Sequence, residues 1–246
     1  MAILVTRPHP DNEATAAALR ERGHQVLLAP MLRFEAVAHR DDLDAGYHAV
    51  IVTSANALRA VDLAGHCLLA LPLFAVGEHT AEAARTAGFS RVLSAGGDAR
   101  ALRDHLRARV KAKEMKKSAR LIYLAGADLS RDLASELGED GFDVTTRMTY
   151  RMVALATLPR ESLEAFATNA IAAVLHYSAR SARAFVEAVQ SAGIEISALS
   201  VPQCCISASV AAILREAGAT RVQAAASPDE NALFEALERA LRSGLA

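Results

Sequence analysis

The sequence predicts an α/β protein made of parallel sheets, and three observations carry that expectation. Short β-branched runs alternate with Ala-rich amphipathic stretches along the whole chain, glycines and short hydroxyl residues punctuate the boundaries, and the order of elements occurs twice. Strands separated by helices pair in parallel through right-handed crossovers.

The elements run in order from the first strand, AILVT, which is followed by a helix to Arg22 and by a second strand in HQVLLAP. AVIVTS, LFAVG and RVLSA follow, each a strand leading into a helix. Ser54 and Ser178 sit where N-caps belong, before helices expected over Ala55–Val61 and Ala179–Val189, because a side-chain oxygen there accepts from amides that have no partner within the helix. Gly23, Gly88, Gly141 and Gly218 each close a helix shortly before a new strand.

The repetition is specific. Ile3–Phe34 aligns without gaps on Leu121–Met152, matching Leu19 with Leu137 and Gly23 with Gly141. Ala49–Ser54 then matches Ala173–Ser178, and Val76–Val92 matches Ile206–Val222. Chance similarity of Ala-rich helices would match alanines, but it would not also match strand ends and glycines. Each copy supplies about five strands, enough for one doubly wound sheet, so two such sheets are expected.

Composition bounds the function. Of 246 residues, 52% are hydrophobic and 22% charged, as in a folded chain with a large core. The 27 basic and 28 acidic residues nearly cancel, and aromatics are only 4% with no Trp. Dedicated nucleic-acid or membrane-surface binding and base-stacking platforms are therefore disfavoured. The basic stretch Arg100–Arg120 interleaves no aromatic, and reads as a solvated helix followed by an exposed connector. Cys67, Cys204 and Cys205 lie in apolar runs without zinc-ligand spacing and are expected as reduced core residues. No signal peptide or run of membrane-spanning length occurs, so a cytoplasmic location is expected. Phosphate-loop, dinucleotide, nucleophile-elbow and HExxH motifs are all absent, which disfavours the chemistries they serve. Eight histidines are scattered, and His79 and His176 are the two near a strand end.

Doubly wound sheets bind ligands at the carboxyl ends of their strands. The residues there are Thr6, Arg7, Pro8, Thr53, Ser54, Asn56, Gly77, Thr80, Gly126, Asp128, Ser178, Ser207 and Ser209. They are mostly hydroxyls, glycines and residues of helix N-termini, groups that hold anions without committing a charged side chain. The plainer role for any single Ser or Thr among them is N-capping.

Taken in order, LVTRP at Leu4–Pro8, the Gly23 helix end leading to a strand into Pro30, IVTSANAL at Ile51–Leu58, AVGEHTAEA at Ala75–Ala83 and TYRMVA at Thr149–Ala154 resemble the uroporphyrinogen-III synthase family over essentially the whole chain. The resemblance implies two flavodoxin-like or Rossmann-like α/β domains joined by two extended linkers, near residues 33–39 and 149–155. One lobe would comprise residues 1–35 with 153–246, and the other residues 38–150. It also implies a reaction that needs no metal or cofactor. Linear hydroxymethylbilane loses its hydroxyl as water and closes into a ring, with inversion of the terminal pyrrole through a spiro intermediate.

Tyr150 matches the family's linker tyrosine, and its phenol could assist departure of the hydroxyl; the plainer reading is an aromatic packed at the hinge. The substrate's eight carboxylates would meet the strand-end groups, namely Arg7, Thr53, Ser54, Asn56, Gly77, Thr80, Gly126, Ser178, Ser207 and Ser209. The second copy departs from the family pattern, with Ser207 where glycine is common and Val210 where a hydroxyl is common. A cytoplasmic monomer is expected, without nucleic-acid or membrane partners. The alternative is a non-catalytic bilobed binding or sensor protein for a small anionic ligand.

Overall fold

The computed structural model describes residues 1–38, 46–129 and 131–242; His39, at the end of the first expected linker, lies outside them. The chain opens with β1 (Ala2–Val5), α1 (Asp11–Glu21), β2 (Gln25–Leu28) and β3 (Leu32–Ala36). It continues through β4 (Ala49–Val52), α2 (Ala55–Arg59), a 3-10 turn at Cys67–Ala70, β5 (Leu73–Ala75), α3 (Glu78–Thr86), β6 (Val92–Ser94) and α4 (Ala99–Lys111). Next come β7 (Arg120–Gly126), α5 (Leu133–Glu139), β8 (Asp143–Ala154), α6 (Arg160–Ala167), β9 (Ile171–His176) and α7 (Ala179–Ser191). The chain closes with α8 (Glu195–Ser200), β10 (Gln203–Cys205), α9 (Ala208–Glu216), β11 (Val222–Ala224) and α10 (Glu230–Arg242).

Two compact units result, Met1–Phe34 with Val153–Ala246, and Glu35–Met152. The first carries a sheet ordered β11-β10-β9-β1-β2, and the second sheet is ordered β3-β8-β7-β4-β5-β6. The ladders whose direction is resolved are all parallel. The chain passes between units in two extended segments, β3 and β8, which are neighbours in the sheet. The Val37 amide donates to the Thr149 carbonyl at 2.7 Å, and the Leu155 amide donates to the Met31 carbonyl at 3.0 Å.

The sequence repeat reappears in strand order and in register. Reading β1, β2, β9, β10 and β11 as β7, β8, β4, β5 and β6 turns the first sheet into the second, apart from β3, the sixth strand. Leu4 pairs with Val174 as Ile122 pairs with Val50, and Gln203 pairs with Val222 as Leu73 pairs with Val92. The helix-closing glycines match as well, with φ of +101° at Gly88 and +100° at Gly218, where only glycine escapes a Cβ penalty.

Each sheet is covered on both faces, so its central strands are apolar throughout. On β4, Val50 and Val52 join one buried cluster with Leu58 and Ala81, while Ala49 and Ile51 join another with Leu102 and Leu137. On β1, Leu4 faces Phe185 and Leu214, while Ile3 and Val5 face Leu19 and Leu233. That alternation is the two-residue period of a strand. Burying one side chain such as Phe185 contributes about 1.5–3 kcal/mol.

Several expectations need adjustment. The helix after Ser54 stops at Arg59, two residues before Val61, and the helix after Ser178 runs to Ser191. Cys67 is exposed, because it opens the 3-10 turn while its neighbour Leu68 takes the buried place; Cys204 and Cys205 are buried and free. The basic stretch is less solvated than expected. Arg103 and Arg107 each reach Asp140 at 2.7 Å, and Arg103 is largely covered. Together these two guanidiniums hold the Asp140 carboxyl well below the usual carboxylate range. Among the described residues no helix is long and apolar enough to cross a membrane.

Candidate active site

In the unit Glu35–Met152, the carboxyl ends of the strands open into a cleft of about 320 Å³. Its walls include Thr53 and Ser54 after β4, Val76 after β5, Gly126 at the end of β7, Tyr123 within β7 and Tyr150 on β8. Asp98, Asp128 and Arg131 add charge at the rim.

Tyr150 reaches this place through an irregularity of the ladder. β7 and β8 pair regularly up to Ala125 with Met148, then skip a residue so that Gly126 lies opposite Tyr150. A bulge of this kind re-aims side chains beside a site. The residue passed over, Thr149, is fully buried and its hydroxyl donates to the Ala125 carbonyl at 3.3 Å. The Ala127 amide donates to the Tyr150 carbonyl at 2.8 Å, fixing the backbone there. A Cβ on Gly126 would stand 2.7 Å from Cζ of Tyr150 and 2.9 Å from its hydroxyl oxygen. The ring therefore lies directly over the glycine.

Tyr123 contributes a second phenol. Only 2% of it is exposed, yet its hydroxyl meets Thr53 Oγ1 at 2.8 Å. Burial raises the Tyr123 phenol above its ordinary pKa, the Thr53 hydrogen bond opposes this, and the neighbouring Tyr150 reinforces it. The sequence motifs do not single out Tyr123 or its cleft position. The available signal lies in the repeat, which equates Tyr123 with the aliphatic Val5.

The other expected groups divide by role. The Ser54 hydroxyl accepts from the Asn56 amide at 3.3 Å and so caps α2 while lining the cleft. Asn56 accepts from Arg59 at 2.8 Å and turns its amide nitrogen to Met152 Sδ at 3.9 Å. Gly77 and Thr80 begin α3 and are not part of the cleft wall; Thr80 is buried. His79 is exposed.

Arg7, Ser178, Ser207 and Ser209 belong to the other unit. Ser178 accepts from the Ser181 amide at 3.1 Å and caps α7. Ser207 caps α9 and meets the Ser209 hydroxyl at 2.9 Å. The Arg7 guanidinium stacks over Tyr177 at 4.7 Å and donates to Glu230 at 3.3 Å and to Asp11 at 3.4 Å. Thr15 and Tyr177 also donate to Glu230, at 2.6 and 2.8 Å. Thr6 turns inward, its hydroxyl donating to the Leu175 carbonyl at 2.8 Å. His176 is fully buried and hydrogen-bonded to Gln203 at 2.9 Å, so it serves the core.

Two doubly wound parallel units, with β3 and β8 as crossings and a hydroxyl-lined strand-end cleft in one of them, define a two-unit α/β protein whose N-terminal strand-helix-strand segment completes its C-terminal half. The chain belongs to the uroporphyrinogen-III synthase family: the model for uroporphyrinogen-III synthase HemD matches residues 13–235. These enzymes are cofactor-independent cyclising lyases of tetrapyrrole biosynthesis.

Among solved structures, the chain is similar to the uroporphyrinogen-III synthetase of Helicobacter pylori, with 18% identity, 100% of this chain and 99% of that chain covered, and a TM-score of 0.60. It is also similar to a mutant uroporphyrinogen III synthase of the extremely thermophilic bacterium Thermus thermophilus, with 20% identity, 99% of each chain covered and a TM-score of 0.55. At such identities the likeness is one of fold. No curated protein matches the sequence directly.

Proposed function

We propose that the chain closes hydroxymethylbilane to uroporphyrinogen III in the strand-end cleft, with Tyr150 as the proton donor to the departing hydroxyl. The observation that carries this reading is the seating of the Tyr150 phenol over Gly126, at the mouth of a cleft it shares with Thr53, Ser54 and Tyr123.

Breaking the hydroxymethyl C–O bond releases hydroxide unless a proton arrives with it. A neutral phenol can supply that proton, and general-acid help of this kind contributes typically about 10² to 10⁴-fold. Ring closure through the spiro intermediate ends with loss of a pyrrole carbon-bound proton, which restores the phenol, so the sum is hydroxymethylbilane to uroporphyrinogen III and water. Pyrroles are intrinsically reactive, so most of the advantage comes from holding one geometry for closure. Positioning can be worth about 7–11 kcal/mol. The hydroxyls of Thr53 and Ser54 line the cleft and suit the acetate and propionate groups of the substrate. Asn56, Gly77, Thr80 and Gly126 are the further candidate groups of the same unit, and Arg7, Ser178, Ser207 and Ser209 are the corresponding strand-end groups of the other. We further assign the protein to the cytoplasm as a monomer; two buried free thiols, Cys204 and Cys205, suit a reducing compartment.

The test is to mix the purified protein with freshly generated hydroxymethylbilane and resolve the oxidised porphyrins. The type III isomer is expected. A product mixture holding only the spontaneous type I isomer would overturn the assignment and leave a binding protein.

A further inference from the structure

We infer that Tyr123 is a positioning residue of the cleft: it turns the Thr53 proton outward, where that proton meets a carboxylate of the linear tetrapyrrole. This rests on the reading of the cleft as the site of ring closure.

In the repeat Tyr123 occupies the place of Val5, and Val5 is fully buried in an apolar cluster. A valine or phenylalanine would satisfy the core at this position. Tyrosine instead carries a hydroxyl through the core to the cleft wall, where burying it without a partner would be costly. Thr53 supplies the partner at 2.8 Å.

Either oxygen could donate in this pair, but the two are not equivalent. A phenol is the stronger acid and so the better donor, whereas an aliphatic hydroxyl accepts readily. With Tyr123 donating, both the Tyr123 proton and one lone pair of Thr53 are used. The Thr53 proton is then left to point elsewhere. Thr53 lines the cleft, and β-branching restricts its χ1 rotamer. A donor results on the cleft wall, suited to an anionic oxygen, and a substrate with eight carboxylates offers the strongest acceptors available. Reversing the pair would spend the Thr53 proton on Tyr123, leaving the free proton on a phenol that is only 2% exposed and only lone pairs on Thr53. Tyr123 thus acts through Thr53 on ground-state binding, whereas Tyr150 acts on the reacting bond.

The two roles separate kinetically. Initial rates of type III formation are measured for wild type, Tyr123→Phe, Thr53→Val, Thr53→Ser, the Tyr123→Phe/Thr53→Val double variant and Tyr150→Phe, with thermal midpoints alongside. Tyr123→Phe is expected to raise KM roughly 3- to 10-fold, the scale of a hydrogen bond to a charged group partly lost, with kcat within about twofold of wild type by the uniform-binding criterion. Thr53→Ser keeps the hydroxyl and is expected to keep KM near wild type. The double variant should be no worse than Thr53→Val alone, because the two residues form one unit. A KM unchanged in Tyr123→Phe, or effects that multiply in the double variant, overturns the inference while wild type still makes the type III isomer. A wild type that makes only type I overturns the underlying assignment instead.

Discussion

The ring of Tyr150 rests on the bare Cα of Gly126, so close that a single methyl group there would approach Cζ to 2.7 Å. The clash would fall on the far end of a side chain at a half-open cleft, so the ring can swing aside at little cost to the fold. Gly126→Ala is therefore expected to leave the thermal midpoint nearly unchanged and to lower kcat about 10- to 100-fold, since small misplacements of a reacting group are costly in rate. In a Tyr150→Phe background the same change should have little further effect. A multiplicative loss in that background would show that Gly126 acts by another route.

Removing only the Tyr150 hydroxyl tests the acid role itself. Tyr150→Phe keeps the ring on Gly126 and the backbone hydrogen bond from Ala127. The rate of type III formation is expected to fall at least about tenfold, within the usual span of general-acid contributions, with an unchanged circular dichroism spectrum. Turnover equal to wild type would reduce Tyr150 to a packing residue.

Glu230 ties the first turn of α10 to the strand ends of its unit. Its Oε1 accepts from Thr15, Tyr177 and Arg7, and Tyr177 is mostly buried. Glu230→Ala takes the acceptor from the Tyr177 hydroxyl, while Arg7 keeps the Asp11 carboxylate and Thr15 the Asp11 carbonyl, and is expected to destabilise the protein by roughly 1–3 kcal/mol. Glu230→Gln retains an acceptor oxygen and should cost less. Urea titration of both variants provides the comparison, and equal losses would mean that the charge alone matters.

The three thiols differ sharply in accessibility. Cys67 is exposed, while burial pushes Cys204 and Cys205 up to about 12. Because the thiolate is the reactive form, a chromogenic disulfide reagent at neutral pH should release one equivalent rapidly from native protein and three after denaturation. Cys67→Ser should abolish the fast phase. A fast phase that survives would place one of the β10 cysteines within reach of solvent.

How far the sequence could be read depends on the kind of feature. The two parallel sheets and their helix ends followed from the repeat, because glycine ends and apolar periods are local and both copies obey the same packing; strand order and register came only from the structure. Tyr150 was legible as a residue, but its placement was not. That placement depends on a bulge at Thr149, and a one-residue slip leaves no mark in composition. Tyr123 was hidden for the opposite reason: inside LIYLAG it reads as one more apolar strand residue, and only Thr53, 70 positions away, gives its hydroxyl a purpose. Ser54, Ser178 and Ser207 were correctly expected at helix starts. Ser54 also lines the strand-end cleft, a second role set by tertiary packing.

A polar trio inside the first unit has an apolar counterpart in the other. His176, Gln203 and Thr6 occupy the places that Val52, Leu73 and Leu124 hold in the other unit. Gln203 spends both amide protons on the Ala198 and Val201 carbonyls, so its oxygen faces His176 and Nε2 of the imidazole must carry a proton. Burial lowers the His176 pKa to about 4, against 6.5 in an unfolded chain. Between these values the unfolded state binds a proton that the folded state refuses, so stability falls as pH drops from about 6.5 to about 4. The lost stability amounts to about 3 kcal/mol at the lower end. Denaturant titrations across that range should show this slope in wild type. Replacing the trio together, by His176→Val, Gln203→Leu and Thr6→Leu, copies the apolar solution of the other unit and should remove this component. The exchange also takes the Gln203 amide protons from the Ala198 and Val201 carbonyls, so the variant is expected to lose roughly 1–3 kcal/mol at about pH 7, and the two proteins are compared in slope rather than in absolute stability. A slope between about pH 6.5 and 5 that is identical in both proteins would show that His176 titrates as freely in the native state as in the unfolded chain.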